Sequence, residues 1–446
     1  MFKTQEAPVA VQTKSSPIEG KRVLHVLDLS LPLLVGYTIR SRGLINGQRR
    51  IGLSPTAISG PMHTLRDPYC SDDQIDGIQY LRTPVEGVLA KAAKARVPGL
   101  REAAIMRLLE KRIVRELETG QYDVVHAHSP VLCGIPALRA ARKFKLPFVY
   151  EIRAFWEDAA VDSAKTSAKS PRYRATRALE TYVVKNADAV VGIASSILED
   201  LAARGIPEEK LFLVPNGVDF QQFQPQKPDL ELARQLGLNS DPVLGFIGSF
   251  YKFEGVDWLV HAAAKLRSQG VRFKLLLAGA GEEAEKVAAS IKSLGAEDYI
   301  RYLGRIPHED ISRYYSVMDV MVYPRERTRL TTLVTPLKPL EAMAKRIAVL
   351  GSDVGGIAEL LGYGEGGRLF RAGDVDDFCT EARRLIERPF ERVQIAADGY
   401  KYAKRTRDWD AIAREYEKVY QFASGAPRAS IESDAQHSDA MKEVEG

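Results

Sequence analysis

Two doubly wound α/β domains, each a parallel sheet with helices on both faces, are the fold this sequence predicts. Three observations predict it. Short apolar runs alternate with longer segments of helical spacing, the pattern of βαβ units. The scheme occurs twice, on either side of a polar, Gln/Pro-rich connector at 220–228. At 446 residues the chain is also too long for one ordinary core.

In the first half, 22–27 (RVLHVL) is the opening strand, followed by a Gly/Pro-containing loop at 31–37 and a helix from about Thr38. Residues 123–128 (DVVHAH) form the next strand, with a helix at 134–144 behind it. Strands at 147–151, 189–193 and 211–214 complete this half, and Asn216-Gly217 marks a tight turn out of it. The second half repeats the scheme with strands at 243–248, 274–279, 299–303, 320–323 and 347–350. Residues 408–422 place Trp409, Ile412, Tyr416 and Tyr420 at helical spacing. The expected boundaries are a disordered leader at 1–20, a first domain at 21–212, a second at 213–406, a terminal helix at 407–423 and a disordered acidic tail at 424–446.

Composition narrows the function classes. Hydrophobic content of 45% with 27% charged residues is that of a soluble globular protein. No run of 18 or more apolar residues is present to span a bilayer, and 1–20 lack the apolar stretch of a signal peptide. Three scattered cysteines suggest a reducing, cytoplasmic setting without disulfides, and the seven histidines show no metal-binding spacing, so no metal is implied. The net charge of +5 is uneven: 91–115 carry Lys91, Lys94, Arg96, Arg101, Arg107, Lys111, Arg112 and Arg115 against Glu102 and Glu110. A second basic stretch runs from Lys165 to Arg177. Such clusters suit an anionic membrane surface or a phosphorylated acceptor, or are simply solvated faces. Nucleic acid is not indicated, because no recognition motif accompanies the charge.

The most informative segment is 334–344 (VTPLKPLEAMA). Thr335 suits an N-cap and Pro336 the first helical position, so a helix is expected to start there with free amides for a phosphate. Lys338 and Glu341, three apart, share one helix face about 4.5 Å apart along the axis. A cation for phosphate and a carboxylate for a ribose diol would clamp a nucleotide-diphosphate-sugar; the plain alternative is an amphipathic helix with solvated charges. Gly279-Ala280-Gly281 is a partial dinucleotide fingerprint, and Gly355-Gly356 with Glu359 reads as a second amide cradle or an ordinary helix start.

Taken together, DVVHAH (123–128), VPNGVD (214–219), FIGSF (246–250), LAGAG (277–281), LGRIPH (303–308), LEAMA (340–344) and GGIAE (355–359) resemble the retaining glycosyltransferases of family 4, in family order across roughly 22–422. HVLDLSLP through GYT (25–38) and YEIRAFWED (150–158) are similar to a narrower bacterial branch associated with exosortase/PEP-CTERM exopolysaccharide loci. The resemblance implies the GT-B fold: the second domain binds the nucleotide-sugar, the first binds the acceptor, and the terminal helix crosses back onto the first. It implies Glu341 on the ribose, the base near Arg305 and Ile306, and a close approach of the Gly36 loop to the diphosphate. Gly248, Ser249, Gly279, Thr335, Pro336 and Leu337 join the expected donor side; Tyr37, His126, His128 and Trp156 are the expected acceptor side.

Four positions depart from the family pattern. Leu333 replaces the usual acidic residue eight positions before Glu341, Arg153 a usual histidine, Glu254 a phosphate-binding lysine and Ser249 an arginine. Lys252, Arg325 and Lys338 are the candidates to restore the lost charge, and Arg153, Lys338 and Glu341 the expected catalytic set. The expected activity is a metal-independent, retaining hexosyl transfer to a glycan or polyprenyl-linked acceptor, with the nucleotide-sugar as substrate and no cofactor. The rivals are a nucleotide-sugar epimerase or hydrolase of the same fold and a catalytically idle sugar-nucleotide-binding scaffold.

Overall fold

The computed structural model describes residues 20–162, 166–238, 240–307 and 309–427. Almost all of the expected leader, residues 428–446 of the expected tail, Lys165 and His308 lie outside the described residues.

The first half runs β1 (Arg22–Leu27), α1 (Gly36–Arg50), β2 (Ser54–Ser59), α2 (Pro61–Arg66), β3 (Asp73–Ile75) and β4 (Ile78–Arg82). It continues through α3 (Val88–Lys94), α4 (Leu100–Thr119), β5 (Val124–His128), α5 (Val131–Phe144) and β6 (Phe148–Ile152). Then come α6 (Trp156–Asp162), α7 (Pro171–Asn186), β7 (Ala189–Gly192), α8 (Ser195–Ala203) and β8 (Leu211–Leu213). The strands form one sheet in the order β3-β4-β2-β1-β5-β6-β7-β8, parallel except for the antiparallel edge strand β3.

The second half begins with α9 (Leu230–Gln235), β9 (Val243–Ser249), α10 (Val256–Ser268), β10 (Lys274–Ala280), α11 (Ala284–Ser293) and β11 (Ile300–Gly304). Next are α12 (Ile311–Tyr315), β12 (Val320–Tyr323), α13 (Arg329–Leu333), α14 (Lys338–Ala344), β13 (Ala348–Ser352) and α15 (Gly355–Leu360). It ends with β14 (Arg368–Phe370), α16 (Val375–Glu387) and α17 (Pro389–Thr406), and α18 (Trp409–Ala423) follows. Its all-parallel sheet has the order β11-β10-β9-β12-β13-β14.

The apolar runs read from the sequence become the central strands, because a parallel sheet buries both strand faces under helices. Thus β5, β6 and β7 are buried at every residue. Four strands escape the sequence reading: β2 (SPTAIS) has no apolar run, and β3, β4 and β14 are short. Helix α1 begins at Gly36, two residues before the expected start.

Helix α18 covers the first sheet rather than the second. Its Trp409, Ile412, Tyr416, Val419 and Tyr420 share one buried cluster with Val23, Val124, Val149 and Val191. Glycines let it lie close to α1: a Cβ at Gly43 would come within 2.3 Å of the Trp409 ring, and one at Gly47 within 2.7 Å of the Trp409 carbonyl. The chain therefore passes twice between the halves, and the two passages touch where Val218 N–H donates to Arg407 O at 2.8 Å.

Candidate functional site

A cavity of about 1030 Å³ opens between the carboxyl ends of the two sheets, where open α/β sheets hold their ligands. Among the expected residues, Gly36, Tyr37, Arg153, Trp156, Gly248, Ser249, Gly279, Arg305, Ile306, Arg325, Thr335, Pro336, Leu337, Lys338 and Glu341 line it. Gly279, at φ +149, lets β10 touch its neighbour: a Cβ there would fall 1.8 Å from Gly248 O. Tyr37 and Trp156 meet edge to face on the first-domain side, with ring centroids 5.9 Å apart.

The clamp segment differs from its sequence reading. Helix α14 starts at Lys338, so Thr335 is not its N-cap and Pro336 not its first residue. Thr335 instead accepts two hydrogen bonds from Asn216 Nδ2, at its carbonyl (2.8 Å) and its hydroxyl (3.0 Å). Lys338 and Glu341 do not stand apart; Lys338 Nζ donates to Glu341 Oε2 at 3.0 Å, because i,i+3 neighbours on a short helix close onto each other. Tyr315 also donates to that oxygen at 3.0 Å, which leaves Oε1 without a protein partner among the described residues. Burial and the Glu341 charge push the Tyr315 hydroxyl well above the usual phenol range, so it remains a donor.

The other expected cations sort by partner. Lys252 does not face the cleft; it lines a smaller hollow of about 340 Å³ with Trp258 and His261, beyond Tyr251. Arg325 is held by both Glu254 oxygens, at 2.7 and 3.0 Å. Among the described cleft residues, Arg305 is the cation with no hydrogen-bond or ion-pair partner. Gly355 and Gly356 make no open cradle, since a Cβ on either would meet backbone oxygen of the α13 segment at 2.6 or 2.2 Å. Glu359 instead accepts from Ser195 N–H at 2.8 Å, at the start of α8. Leu333, one of the departures from the family pattern, is buried in the first domain's apolar cluster and ties the halves together.

Arg153, His126 and His128 need a larger correction. Arg153 is 6% exposed, and its guanidinium donates to Glu151 Oε1 (2.6 Å), Tyr37 O and Ser41 Oγ (2.7 Å each) and His128 Nδ1 (2.7 Å). It touches the cleft wall but is filled by the protein, so it pins the first turn of α1 rather than offering a free charge. His126 and His128, two apart on a central strand, share a face of β5 that lies under α18, and neither lines the cleft.

With His25 they form a cluster that their sequence spacing does not reveal. Since Arg153 only donates, His128 Nδ1 accepts, and its Nε2–H donates to His25 Nδ1 at 2.9 Å. His25 Nε2–H then donates to Gln48 Oε1 (2.8 Å), Gln48 Nε2 to the Tyr420 hydroxyl (2.8 Å), and Tyr420 to His126 Nδ1 (3.0 Å). Burial holds all three imidazoles neutral, lowering His25 to about 4, His128 to about 3 and His126 well below its ordinary value. Their nitrogens lie within 4.8 Å of one another, the composition of a transition-metal site. Arg40 and Arg153 flank the cluster against the single carboxylate of Glu151, so a divalent cation would add charge to an already positive interior.

Two residues central to this architecture escaped the sequence reading. Arg40, 2% exposed, donates to Glu151 Oε1 (3.0 Å), Pro215 O (2.7 Å), Asn216 Oδ1 (3.1 Å) and Val214 O (2.9 Å). Asn216, read only as a turn residue, extends that chain to Thr335 across the interdomain passage. The one available signal was an arginine inside the helix that follows the first strand.

Comparison with known proteins gives the following likenesses. The family model described as a glycosyl transferase 4-like domain matches residues 35–217, and that of the glycosyl transferases group 1 matches residues 241–388. The chain is 28% identical to a D-inositol 3-phosphate glycosyltransferase from Nocardiopsis dassonvillei, over 70% of this chain and 73% of that protein. It is 26% identical to a GDP-mannose-dependent alpha-mannosyltransferase from Mycolicibacterium smegmatis, over 91% of this chain and 98% of that protein. Among solved structures it resembles a sucrose-phosphate synthase from Thermosynechococcus elongatus, with a TM-score of 0.71 at 19% identity over 90% and 98% of the two chains. It also resembles Anabaena HepE in complex with UDP-glucose, with a TM-score of 0.67 at 18% identity over 91% and 100%.

Proposed function

We propose that this chain, whose first half matches the glycosyl transferase 4-like domain and whose second half matches the glycosyl transferases group 1 on a GT-B fold, transfers a hexose from a nucleotide-diphosphate-sugar with retention and without a metal. The observation that supports this best is the cleft itself, with the Glu341 carboxylate keeping one oxygen free at its wall. In this reading Glu341 Oε1 takes the ribose diol. Lys338 and Arg305 balance the diphosphate as it leaves, the charge that most needs stabilising in the transition state. Tyr37 and Trp156 offer an aromatic corner to the acceptor sugar.

The acceptor we propose is a glycan or a polyprenyl-linked sugar at the cytoplasmic face of the membrane, in exopolysaccharide assembly. The segments at 25–38 and 150–158 support that role. Lys91, Lys94, Arg96, Arg107, Lys111 and Arg115 are exposed on or beside α3 and α4, next to exposed Val88, Val97 and Leu100, a composition suited to anionic lipid. No described helix is long and apolar enough to cross a membrane.

The test is a thermal-shift screen against UDP-, GDP- and ADP-sugars, followed by transfer to a lipid-linked or glycan acceptor. A ligand at 100 times its dissociation constant stabilises by about 2.7 kcal/mol. We expect one nucleotide class to shift melting and one of its sugars to be transferred. Donor hydrolysis without transfer, or tight binding without turnover, would replace this reading with the hydrolase or the idle scaffold.

A further inference from the structure

Among the described residues, two carboxylates line the cleft, Glu254 and Glu341. A nucleotide-diphosphate-sugar presents two polyols, the ribose and the hexose, on either side of an anionic diphosphate. Carboxylates are strong acceptors for such hydroxyls and are repelled by phosphate, so the chemistry places one acid under each polyol. Resting on the reading of this cleft as a nucleotide-sugar site, with Glu341 on the ribose, we propose that Glu254 binds hydroxyls of the transferred sugar and thereby selects the donor.

The surrounding geometry fits a preset sugar acceptor. Arg325 grips Glu254 through Nε and Nη2, fixing the plane of the carboxylate while each oxygen retains a lone pair for a hydroxyl. Arg325 is fixed in turn, its Nη1 donating to Val334 O at 3.2 Å and its carbonyl accepting from Ser352 Oγ at 2.8 Å. The two segments are locked backbone to backbone. Glu326 N–H donates to Phe253 O at 2.9 Å, and Gly255, at φ +70, approaches so closely that a Cβ would lie 2.1 Å from Pro324 O. Two residues before Arg325, Tyr323 also lines the cleft; it is 2% exposed, and burial with the charges of Glu341 and Glu254 holds its hydroxyl well above the usual phenol range, near the Tyr315 hydroxyl. A carboxylate fixed in orientation at the cleft wall, with a lone pair free on each oxygen, is an acceptor that a sugar hydroxyl fills.

The experiment compares binding of UDP and GDP with binding of UDP-glucose, UDP-galactose and GDP-mannose by calorimetry, in wild type, Glu254→Gln and Glu254→Asp. Glu254→Gln keeps the shape but not the charge, and is expected to hold nucleoside-diphosphate affinity within about twofold while losing about tenfold in affinity for the preferred nucleotide-sugar. Glu254→Asp draws the carboxylate back and is expected to reorder the preference among sugars. Equal losses for nucleotide and nucleotide-sugar, or no loss for either, overturn the assignment. Unfolding of both variants also overturns it, by making the Arg325 pair purely structural. If the wild type binds none of these nucleotides, the underlying reading fails instead.

Discussion

At the scale of single residues, charges that look free in the sequence are mostly spent inside the protein. Glu151, fully buried, would be raised by burial alone, yet Arg40, Arg153 and His128 hold it well below the usual carboxylate range. Glu151→Gln leaves two interior guanidinium groups without a counter-charge, and breaking a buried pair costs about 3–5 kcal/mol. Chemical denaturation should show a loss of that size, while a loss below about 1 kcal/mol would make the network dispensable. Glu180 behaves in the opposite way: burial raises it to about 8, where it bonds the Tyr150 hydroxyl at 2.6 Å. The folded state then holds a proton that the unfolded state has lost, so this group's contribution declines as pH rises from about 4.5 to about 8. Glu180→Gln cannot ionise, and its melting temperature relative to wild type should climb across that interval. A pH-independent difference would mean that Glu180 is charged in the fold.

At the scale of elements, the seating of α18 depends on glycine. Gly43→Leu forces a side chain into the space of the Trp409 ring and should destabilise by about 1–3 kcal/mol or more, with tryptophan emission shifted toward that of exposed indole. Gly36→Ala meets nothing within 4 Å and should leave melting nearly unchanged. Equal melting of both variants would contradict the close approach of α1 to α18. The sequence made the central strands legible because continuous apolar runs such as LLLAG and VMVY admit few other readings. It hid β2 because Pro55 and its serines break the run, although the strand is held by β1 on one side and β4 on the other. The cleft-lining loops were legible for the same reason as the strands they follow. Their pairings were not, since Arg325 meets Glu254 71 residues away, and a shared helix face alone does not fix that Lys338 closes onto Glu341 rather than reaching into the cleft. His126 and His128 could have been placed on one strand face by their spacing, but nothing local shows that a terminal helix would cover it.

At the scale of the whole molecule, the halves are joined by a polar chain as well as by two covalent passages. It runs from Glu151 through Arg40 and Asn216 to Thr335, from beneath the first sheet to the donor wall. Asn216→Ala removes three of its bonds and should broaden the interdomain distribution seen by solution scattering. It should also raise donor KM more than it lowers turnover at saturating donor, because closure would have to be driven by binding energy. Unchanged scattering and kinetics would leave Asn216 an ordinary turn residue. The seating of α18 has one more consequence, for the order of synthesis. The first domain leaves the ribosome with the valines of one face and the Glu151 cluster uncovered, because Trp409, Tyr416 and Tyr420 are still untranslated. At about 5–20 residues per second, that face waits on the order of 10–40 s for its cover. The nascent first half is then a natural client for chaperones, and it can mature only when α18 has been made.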